Sequence, residues 1–384
     1  MDFYIDVKLL SVHLPFMESL KYKRIAFLGP APPFRGGISN FGYNLAIALR
    51  DVGAEVKLFN FVRQYPALIF PGGSQTELVE RNDQPDIEAV YTPYLPWTWG
   101  KAVKAIKQYQ PDLLIISYWL PFFAPSYAFI ASQIKDCRIF FLAHNIESHE
   151  RWPLGSLFRK LALGKADQII LLSKACQVQL NKLLPNRVAL RGVLGFHPIE
   201  EKEAVAVKTE NKQILFFGLI KPYKGLDLLL MAIPLIIKEI PDIKLVVAGA
   251  VYGESESYYK LIDDLGIKRS VELQFRYISD NEMADFFSRS QLCILPYRTA
   301  TQSGVIANAY SFGVPVLATD VGGLKEYIEP GRTGYLVAPE DPVALAEAVV
   351  EHYRSNALES MRISIAEYRK RYSWQKLAEF VQGL

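Results

Sequence analysis

Short apolar runs alternate with amphipathic segments along most of the chain, and turn-forming residues separate them. In the first half the runs lie at 24–28, 55–61, 113–117, 138–143 and 168–172, and in the second half at 215–217, 244–248, 272–275, 292–295 and 314–318. A continuous apolar run between turns is typical of a strand buried on both faces, and strands that alternate with helices form parallel sheets. The pattern predicts an α/β fold with two doubly wound, Rossmann-like sheets.

The length of 384 residues exceeds what one ordinary hydrophobic core holds and predicts two domains. The stretch 199–212 is charged and poor in large apolar residues, which is typical of a linker. We therefore expect an N-terminal extension, a first domain, a linker, a second domain and a final helical segment, at 1–20, 21–198, 199–212, 213–360 and 361–384.

Charge and composition narrow the possible partners. Hydrophobic residues make up 50% of the chain and charged residues 22%, with a net charge of +3, which fits a folded protein and gives no general argument for nucleic-acid binding. Cys137, Cys176 and Cys293 lie in apolar runs without CxxC spacing, which indicates reduced thiols in the cytoplasm and argues against a metal site.

The N-terminus does not have the pattern of a signal peptide. Asp2 and Asp6 stand where a basic region is expected, and no apolar run in the chain reaches the length of a membrane span. We expect a cytoplasmic protein, and a local basic face leaves room for peripheral contact with the inner face of the cell membrane.

A glycine pair precedes the first predicted helix. Gly36 and Gly37 follow the run at 24–28, and Ser39 or Asn40 can cap a helix that runs to about Asp51. Strand, glycine loop, helix and strand form a mononucleotide-binding unit, and the glycines suit close approach to a phosphate or a sugar. The loop lacks a GxGxxG pattern, so a dinucleotide site is weakly indicated, and a purely structural turn is the alternative.

Two further features of the first half suggest chemistry. The segment 91–130 is rich in aromatic residues, which could stack on a sugar or contact lipid headgroups, although core packing explains them equally well. His144 follows the run at 138–143, where an imidazole can hydrogen-bond a substrate hydroxyl. A structural histidine is the alternative at His144, and it is the favoured interpretation of His149.

Two loops of the second half are candidate anion sites. The turn Gln302-Ser303-Gly304 opens a helix, so free amides and the positive end of the helix dipole point at a ligand there. Lys224 precedes the helix that starts at Leu226, and a lysine there is unfavourable unless an anion lies beside it. An ordinary buried turn and a solvated lysine are the alternatives, and solvation is favoured for Lys221.

These loops carry a family resemblance. The segments FFGLIKPYKGLDLLL and PYRTATQSGVIANAYSFGVPVLATDVGGLKE, together with PAPPFRGGISN and LAHNIESHE, resemble the retaining glycosyltransferases of family 4 over residues 22–382. The resemblance implies the GT-B fold, with an N-terminal acceptor domain and a C-terminal nucleotide-sugar domain facing across a cleft. It also implies that the last helix, RYSWQKLAEF, crosses back onto the N-terminal domain.

The resemblance also implies roles for individual residues. Lys224 would bind the donor diphosphate opposite Gly37, and His144 would contact the donor sugar near the reacting carbon. The N–H groups around Ser303, Gly304 and Val305 would hold the distal phosphate, and Gln302 would also take part in donor binding. Asn308 stands where the family usually has a glutamate that binds the ribose hydroxyls. The segment 276–278, with Tyr277 and Ile278, would hold the nucleobase largely through backbone groups.

The sequence departs from the family pattern at three positions. Leu219 stands where the family has an arginine, so either Lys221 substitutes or the phosphate loses one contact. Ala300 and Asn308 replace the usual pair of glutamates. The same QSG and PYKG pattern marks a subset of the family, which favours a variant site over an inactive one.

The resemblance implies a metal-independent enzyme without cofactor. It would move a sugar from a nucleoside-diphosphate donor, such as UDP-glucose, to a saccharide or lipid-linked acceptor in cell-surface polysaccharide biosynthesis, with retention at the anomeric carbon. A non-catalytic nucleotide-sugar sensor or scaffold and a nucleotide-sugar 2-epimerase are the alternatives.

Overall fold

The computed structural model describes residues 20–66, 75–76, 85–147, 154–185, 192–200, 202 and 212–384. The predicted extension, apart from Leu20, lies outside these ranges, as do His149 and most of the predicted linker. Two parallel α/β sheets account for the strands of the described chain.

The first sheet has seven strands in the order β3-β2-β1-β4-β5-β6-β7, and all of its pairs are parallel. The strands are β1 Arg24–Leu28, β2 Glu55–Phe61, β3 Asp86–Tyr91, β4 Leu113–Tyr118, β5 Arg138–Ala143, β6 Gln168–Leu171 and β7 Gly192–Leu194. The helices between them are α1 Gly37–Asp51, α2 Trp99–Tyr109, α3 Ala124–Gln133, α4 Gly155–Leu163 and α5 Lys174–Leu183.

The edge strand β3 was not predicted, because it is polar. Asp86 and Glu88 form ion pairs with Lys57 of β2, at 3.1 and 2.9 Å, and most of the strand is exposed or half-buried. An edge strand has one free side and tolerates charge, so it lacks the apolar run that marks the central strands.

The start of α1 differs from the prediction. Gly36 is the N-cap residue, and its φ of 104° turns the chain into the helix before Ser39 is reached. Ser39 is buried inside the helix and does not cap it, so Ser39 or Asn40 as the cap is wrong. Glycine adopts this left-handed region without steric cost. Ser173 is the N-cap of α5, since its Oγ accepts a hydrogen bond from Cys176 N at 3.1 Å.

The second sheet has six parallel strands in the order β10-β9-β8-β11-β12-β13. Its strands are β8 Gln213–Phe217, β9 Lys244–Ala248, β10 Val271–Gln274, β11 Leu292–Leu295, β12 Val316–Thr319 and β13 Gly334–Val337. The remaining helices are α6 Leu226–Glu239, α7 Glu256–Asp264, α8 Asp280–Ser288, α9 Gly304–Ser311, α10 Pro342–Arg354, α11 Leu358–Arg371 and α12 Trp374–Gly383.

Each sheet has one point where the strand order reverses. This point lies between β1 and β4 in the first sheet and between β8 and β11 in the second. Loops at the carboxyl ends of the strands form a crevice there, which is where doubly wound sheets bind ligands. The loops after β1 and β8 therefore mark the two walls of a possible site.

The last helix returns to the first sheet. Leu377 and Val381 of α12 are buried in the same apolar cluster as Phe41 and Leu45 of α1. Gln382 adds two hydrogen bonds to the backbone of Tyr22, at 2.9 and 2.8 Å. The chain thus crosses between the sheets twice.

A second contact joins the sheets at the start of α5. Both carboxylate oxygens of Glu326, which follows β12, accept backbone hydrogen bonds, from Lys174 N at 2.7 Å and from Ala175 N at 3.1 Å. The hydroxyl of Tyr327 donates to the carbonyl of Leu172. First-turn amides of a helix lack intrahelical partners, so the second sheet caps a helix of the first.

Length and hydropathy rule out a bilayer span for every helix in the described part of the chain.

Replacing Glu326 by alanine removes the acceptor for two first-turn amides of α5, whereas the Ser173 cap remains. We expect the free energy of unfolding in urea to fall by about 0.5–2 kcal/mol, the cost of losing a helix cap. Glu347, an exposed glutamate of α10, provides the control, and Glu347→Ala should leave the midpoint nearly unchanged. Equal stability of wild type and Glu326→Ala would contradict a stabilising role for this contact.

Candidate functional site

A cleft of about 600 Å³ lies between the carboxyl ends of the two sheets. One wall comes from the start of α1 and the other from the loops after β8, β9 and β10 and from α9. The lining residues are Gly36, Gly37, Asn40, Phe41, Asn44, His197, Pro198, Glu200, Lys202, Phe217, Gly218, Leu219, Ala248, Gly249, Ala250, Tyr277, Ile278, Met283, Gly304, Ala307, Asn308, Ser311 and Trp374.

Half of the residues proposed from the sequence lie directly on this cleft. They are Gly36, Gly37, Tyr277, Ile278, Gly304 and Asn308. A Cβ atom added to Gly36 or Gly37 would meet no other atom within 4 Å, so the glycines leave this wall open. A phosphate or a sugar in the cleft could therefore approach the backbone of these two glycines closely.

Lys224 lies immediately behind the cleft wall. It ends the short 3₁₀ turn Pro222–Lys224, and its Nζ is 3.4 Å from the position that a Cβ of Gly218 would occupy. The ammonium stands 5.3 Å from the centroid of the Tyr297 ring, and burial lowers its pKa.

No carboxylate in the described ranges pairs with Lys224. A desolvated, unpaired cation is costly, and an anion in the cleft would relieve that cost.

The backbone around Lys224 requires glycine. Gly225 has a φ of 67°, and a Cβ there would lie 2.0 Å from the carbonyl oxygen of Pro296. The loop after β8 can therefore pack against the end of β11 only because residue 225 has no side chain. This close packing places Lys224 beside the start of α9.

The N-terminus of α9 lies close to Gly218, in the same region as the Lys224 ammonium. Ser303 is its N-cap, and its Oγ accepts a hydrogen bond from Val305 N at 3.3 Å. A methyl group of Val305 lies 3.5 Å from the Cβ position of Gly218, on the same side as Lys224. The side-chain carbonyl of Gln302 is buried without a hydrogen-bond partner among the described residues. The positive end of the α9 dipole and the lysine thus lie at one region of the cleft.

Lys221 is placed differently. Its ammonium lies 4.5 Å from the centroid of the Tyr252 ring, and the residue does not line the cleft. Leu219, which stands at the position of the family's arginine, lines the cleft. The Lys221 side chain lies against Tyr252 and does not take the place of that arginine.

His144 is buried beneath the cleft wall. Its Nε2 lies 3.2 Å from Ser117 Oγ, and its ring packs edge-on against Phe41, with 4.9 Å between the ring centroids. Burial, with a smaller contribution from His197, lowers the pKa of His144 to about 3, so the ring is neutral near pH 7. Phe41 rather than His144 forms the surface of the cleft here.

Phe41 also contacts both segments that cross between the sheets. Its ring packs edge-on against His197 of the first crossing, at 5.2 Å, and against Trp374 of the second, at 5.0 Å. Sequence reasoning missed all three residues. The His-Pro pair at 197–198, polar and rigid at the end of a domain, was the available signal for His197.

Arg35 crosses the mouth of the cleft. Its guanidinium lies 4.7 Å from the centroid of the Tyr277 ring on the opposite wall, a distance typical of a cation–π contact. This contact joins the glycine loop of the first sheet to the loop after β10 of the second.

The electrostatic character of the cleft favours an anion. Glu200 is the one carboxylate among its described lining residues, whereas Lys202 lines it and Lys224 lies behind it. Within the described ranges, no group of three histidine, cysteine, aspartate or glutamate residues is arranged to hold a metal ion.

Both halves of the chain match models of glycosyltransferase families. Residues 35–191 match the model described as Glycosyltransferase Family 4, and residues 211–355 match Glycosyl transferases group 1. The two matches follow one another along the chain and together span most of it.

Individual relatives match over part of their length. An uncharacterized glycosyltransferase of Methanocaldococcus jannaschii is 31% identical over 229 residues, which are 58% of this chain and 60% of that protein. The D-inositol 3-phosphate glycosyltransferase of Streptomyces avermitilis is 32% identical over 174 residues, 43% of this chain and 37% of that protein. The matches thus cover less than two thirds of either relative.

Solved structures share the fold across nearly the whole chain. Sucrose-phosphate synthase from Thermosynechococcus elongatus superposes with a TM-score of 0.73 at 20% identity, over 94% of this chain and 98% of that one. Anabaena Alr3699/HepE in complex with UDP-glucose gives 0.70 at 18% identity, over 94% and 100%. This likeness shows the GT-B fold.

The buried His144 predicts a specific pH dependence of stability. Its pKa is about 3 in the folded protein and 6.5 ordinarily, so it takes up a proton on unfolding between these values. The free energy of unfolding should therefore fall as the pH is lowered through this window, with His144 contributing up to about 1.4 kcal/mol per pH unit. Urea unfolding of His144→Gln between pH 6 and 4 should show a shallower slope than wild type. Identical slopes would contradict a neutral, buried His144.

Proposed function

Because the chain belongs to the glycosyltransferases of family 4, we propose that it transfers a sugar from a nucleoside-diphosphate sugar to a hydroxyl group of an acceptor. UDP-glucose or a close analogue is the proposed donor. The UDP-glucose complex of the Anabaena structure with the same fold supports this choice.

The observation that carries this proposal is the buried ammonium of Lys224, which has no carboxylate partner among the described residues and lies beside the first turn of α9. A diphosphate bound against Gly218 would meet the lysine and the N-terminal end of α9 together, and it would compete with Ser303 Oγ for the amide of Val305. Hydrogen bonds from charged donors contribute about 1.5–3 kcal/mol each, and this contribution grows as the leaving group gains charge. Tyr277 and Ile278 lie on the cleft wall where the nucleobase would be held.

The proposed reaction retains the configuration at the anomeric carbon. The acceptor hydroxyl attacks on the face from which the diphosphate leaves, the bond between the anomeric carbon and the phosphate oxygen breaks, and the acceptor proton passes to the leaving phosphate. The protein contributes positioning and electrostatic stabilisation, with Lys224 and the α9 amides taking the part that a divalent metal plays elsewhere. His144 supports the wall near the reacting carbon through Phe41.

The acceptor is proposed to be a saccharide or a lipid-linked saccharide, in cell-surface polysaccharide biosynthesis at the inner face of the membrane. The N-terminal sheet would bind it, since the open wall at Gly36 and Gly37 adjoins the donor region. The aromatic segment 91–130 is largely core, because Tyr91, Tyr118 and Tyr127 are fully buried. Trp97 and Phe129 are exposed aromatic residues of this segment, with exposed fractions of 77% and 40%, and Trp97 is the proposed contact for an acceptor.

A second candidate is a protein that binds a nucleotide sugar without turning it over. Asn308 lies in the cleft where a carboxylate would grip donor hydroxyls more strongly, and this observation favours the binding function. A thermal-shift screen of UDP-, GDP- and ADP-sugars, followed by an assay of donor hydrolysis, separates the two functions.

Replacing Lys224 by alanine should lower kcat by about 10²- to 10³-fold, because the leaving diphosphate loses its main cationic contact. Initial rates with the donor identified by the screen provide the measurement. Lys244→Ala is the matched control, since Lys244 begins β9 at the opposite end of the sheet and should leave kcat unchanged. Unchanged turnover and donor affinity in Lys224→Ala would refute this role.

The stereochemistry and the metal requirement can be tested together. Proton NMR of a reaction in excess EDTA should show a product with the anomeric configuration of the donor, formed at the rate seen without EDTA. An inverted product would exclude the same-face mechanism. A rate that falls in EDTA and recovers with Mg²⁺ would show that the lysine and the amides do not suffice.

A further inference from the structure

His197 stands where the chain first crosses from one sheet to the other. It follows β7, lines the cleft and faces the start of α9. Its Nε2 is 3.5 Å from the position that a Cβ of Gly304 would occupy. The imidazole therefore lies beside the amides that the proposed function assigns to the donor phosphate.

The proton on this imidazole can be placed. Nδ1 lies 3.1 Å from the carbonyl oxygen of Pro198, which can only accept a hydrogen bond, so Nδ1 carries the proton. Burial lowers the pKa of His197 to about 4, although the Pro198 carbonyl opposes this shift. A neutral ring with its proton on Nδ1 leaves a lone pair on Nε2, so Nε2 is a hydrogen-bond acceptor.

The ring is also held in orientation. Phe41 packs against it at an interplanar angle of 87°, and the hydrogen bond from Nδ1 to the Pro198 carbonyl fixes the rotation of the ring. Among the described residues Nε2 has no hydrogen-bond donor. An oriented lone pair in a ligand cleft is suited to a hydroxyl proton, and it is unsuited to a phosphate oxygen, which would face it as a second acceptor.

The rest of this wall offers few acceptors for hydroxyl groups. Asn308 lies one turn of α9 beyond Gly304 and provides an amide, Ser311 provides a hydroxyl that itself donates to the carbonyl of Ala307, and Glu200 is the one carboxylate among the described lining residues. In a nucleotide sugar, hydroxyl groups of the ribose and of the sugar flank the diphosphate on either side. Each of them needs an acceptor when it leaves water.

We propose that Nε2 of His197 accepts a hydrogen bond from a hydroxyl group of the bound nucleotide sugar, on the ribose or on the sugar next to the diphosphate. The inference rests on the proposed function and assigns to it a specificity-determining residue from the crossing segment. Because this segment joins the two sheets, a donor bound to His197 would contact the connection between them as well as the cleft walls.

Two substitutions distinguish the contribution of Nε2 to binding from that of Nδ1. In His197→Asn the amide reaches the position of Nδ1 only, whereas in His197→Gln it extends to the position of Nε2. The probes are UDP-glucose, UDP, 2′-deoxy-UDP and 3′-deoxy-UDP, and dissociation constants are measured by calorimetry at pH 8 and at pH 6.

We expect His197→Asn to bind UDP-glucose about 3- to 10-fold more weakly than wild type, as for one lost hydrogen bond, and His197→Gln to recover part of the loss. If His197→Asn also binds UDP more weakly, the contact lies on the ribose. The difference between His197→Asn and wild type should then vanish for the deoxy analogue, 2′ or 3′, that lacks the contacted hydroxyl. A loss confined to UDP-glucose places it on the sugar. His352→Asn, the same change at a buried histidine of α10, should leave every affinity unchanged.

Other outcomes overturn the inference. They are equal affinities of wild type and His197→Asn, a loss with UDP that persists in both deoxy analogues, and a loss that grows at pH 6, which would indicate a protonated ring on the phosphate. Wild type that binds none of the probes would contradict the proposed donor as well. Wild type that binds UDP-glucose as tightly as His197→Asn does would refute the role of His197 alone.

Discussion

The packing of the last helix against the first is the contact on which the cleft depends. Leu377 and Val381 of α12 share one buried cluster with Phe41 and Leu45 of α1, so a helix at the end of the chain completes the core of the first sheet. Burying apolar side chains of this size contributes about 1.5–3 kcal/mol each. This contact, together with the cap that Glu326 places on α5, holds the carboxyl ends of the two sheets opposite each other.

The ring of Phe41 links this packing to the site. It touches His144 below the cleft wall and His197 and Trp374 in the two crossing segments, each edge-on. Such aromatic pairs contribute about 0.5–1.5 kcal/mol beyond the burial of their area. The residues that hold the sheets together are therefore also residues of the cleft, and a relative movement of the sheets would displace the wall around a ligand.

Two neighbouring cations, Arg298 and Lys224, differ in whether carboxylates neutralise them. Arg298, close to Lys224 in the fold, forms a two-point ion pair with Asp227 at 2.8 and 2.7 Å and a third contact with Glu340 at 2.7 Å. Lys224 has no such partner among the described residues, although burial lowers its pKa. The chain neutralises a structural cation completely and leaves the cation behind the cleft wall for a ligand.

The sequence alone determined the central buried strands, the presence of two parallel sheets and the glycine and lysine loops, because apolar runs and turn residues act locally. It did not reveal the edge strands β3, β7 and β13, which lack a long apolar run, or the early start of α1, which depends on the backbone of Gly36. The placement of His197, Trp374 and Phe41 around one cleft, and the turn of Lys221 toward Tyr252, were decided only by tertiary structure. These residues are far apart in the chain, and no local pattern encodes a contact that exists only after two sheets and two crossings have been packed together.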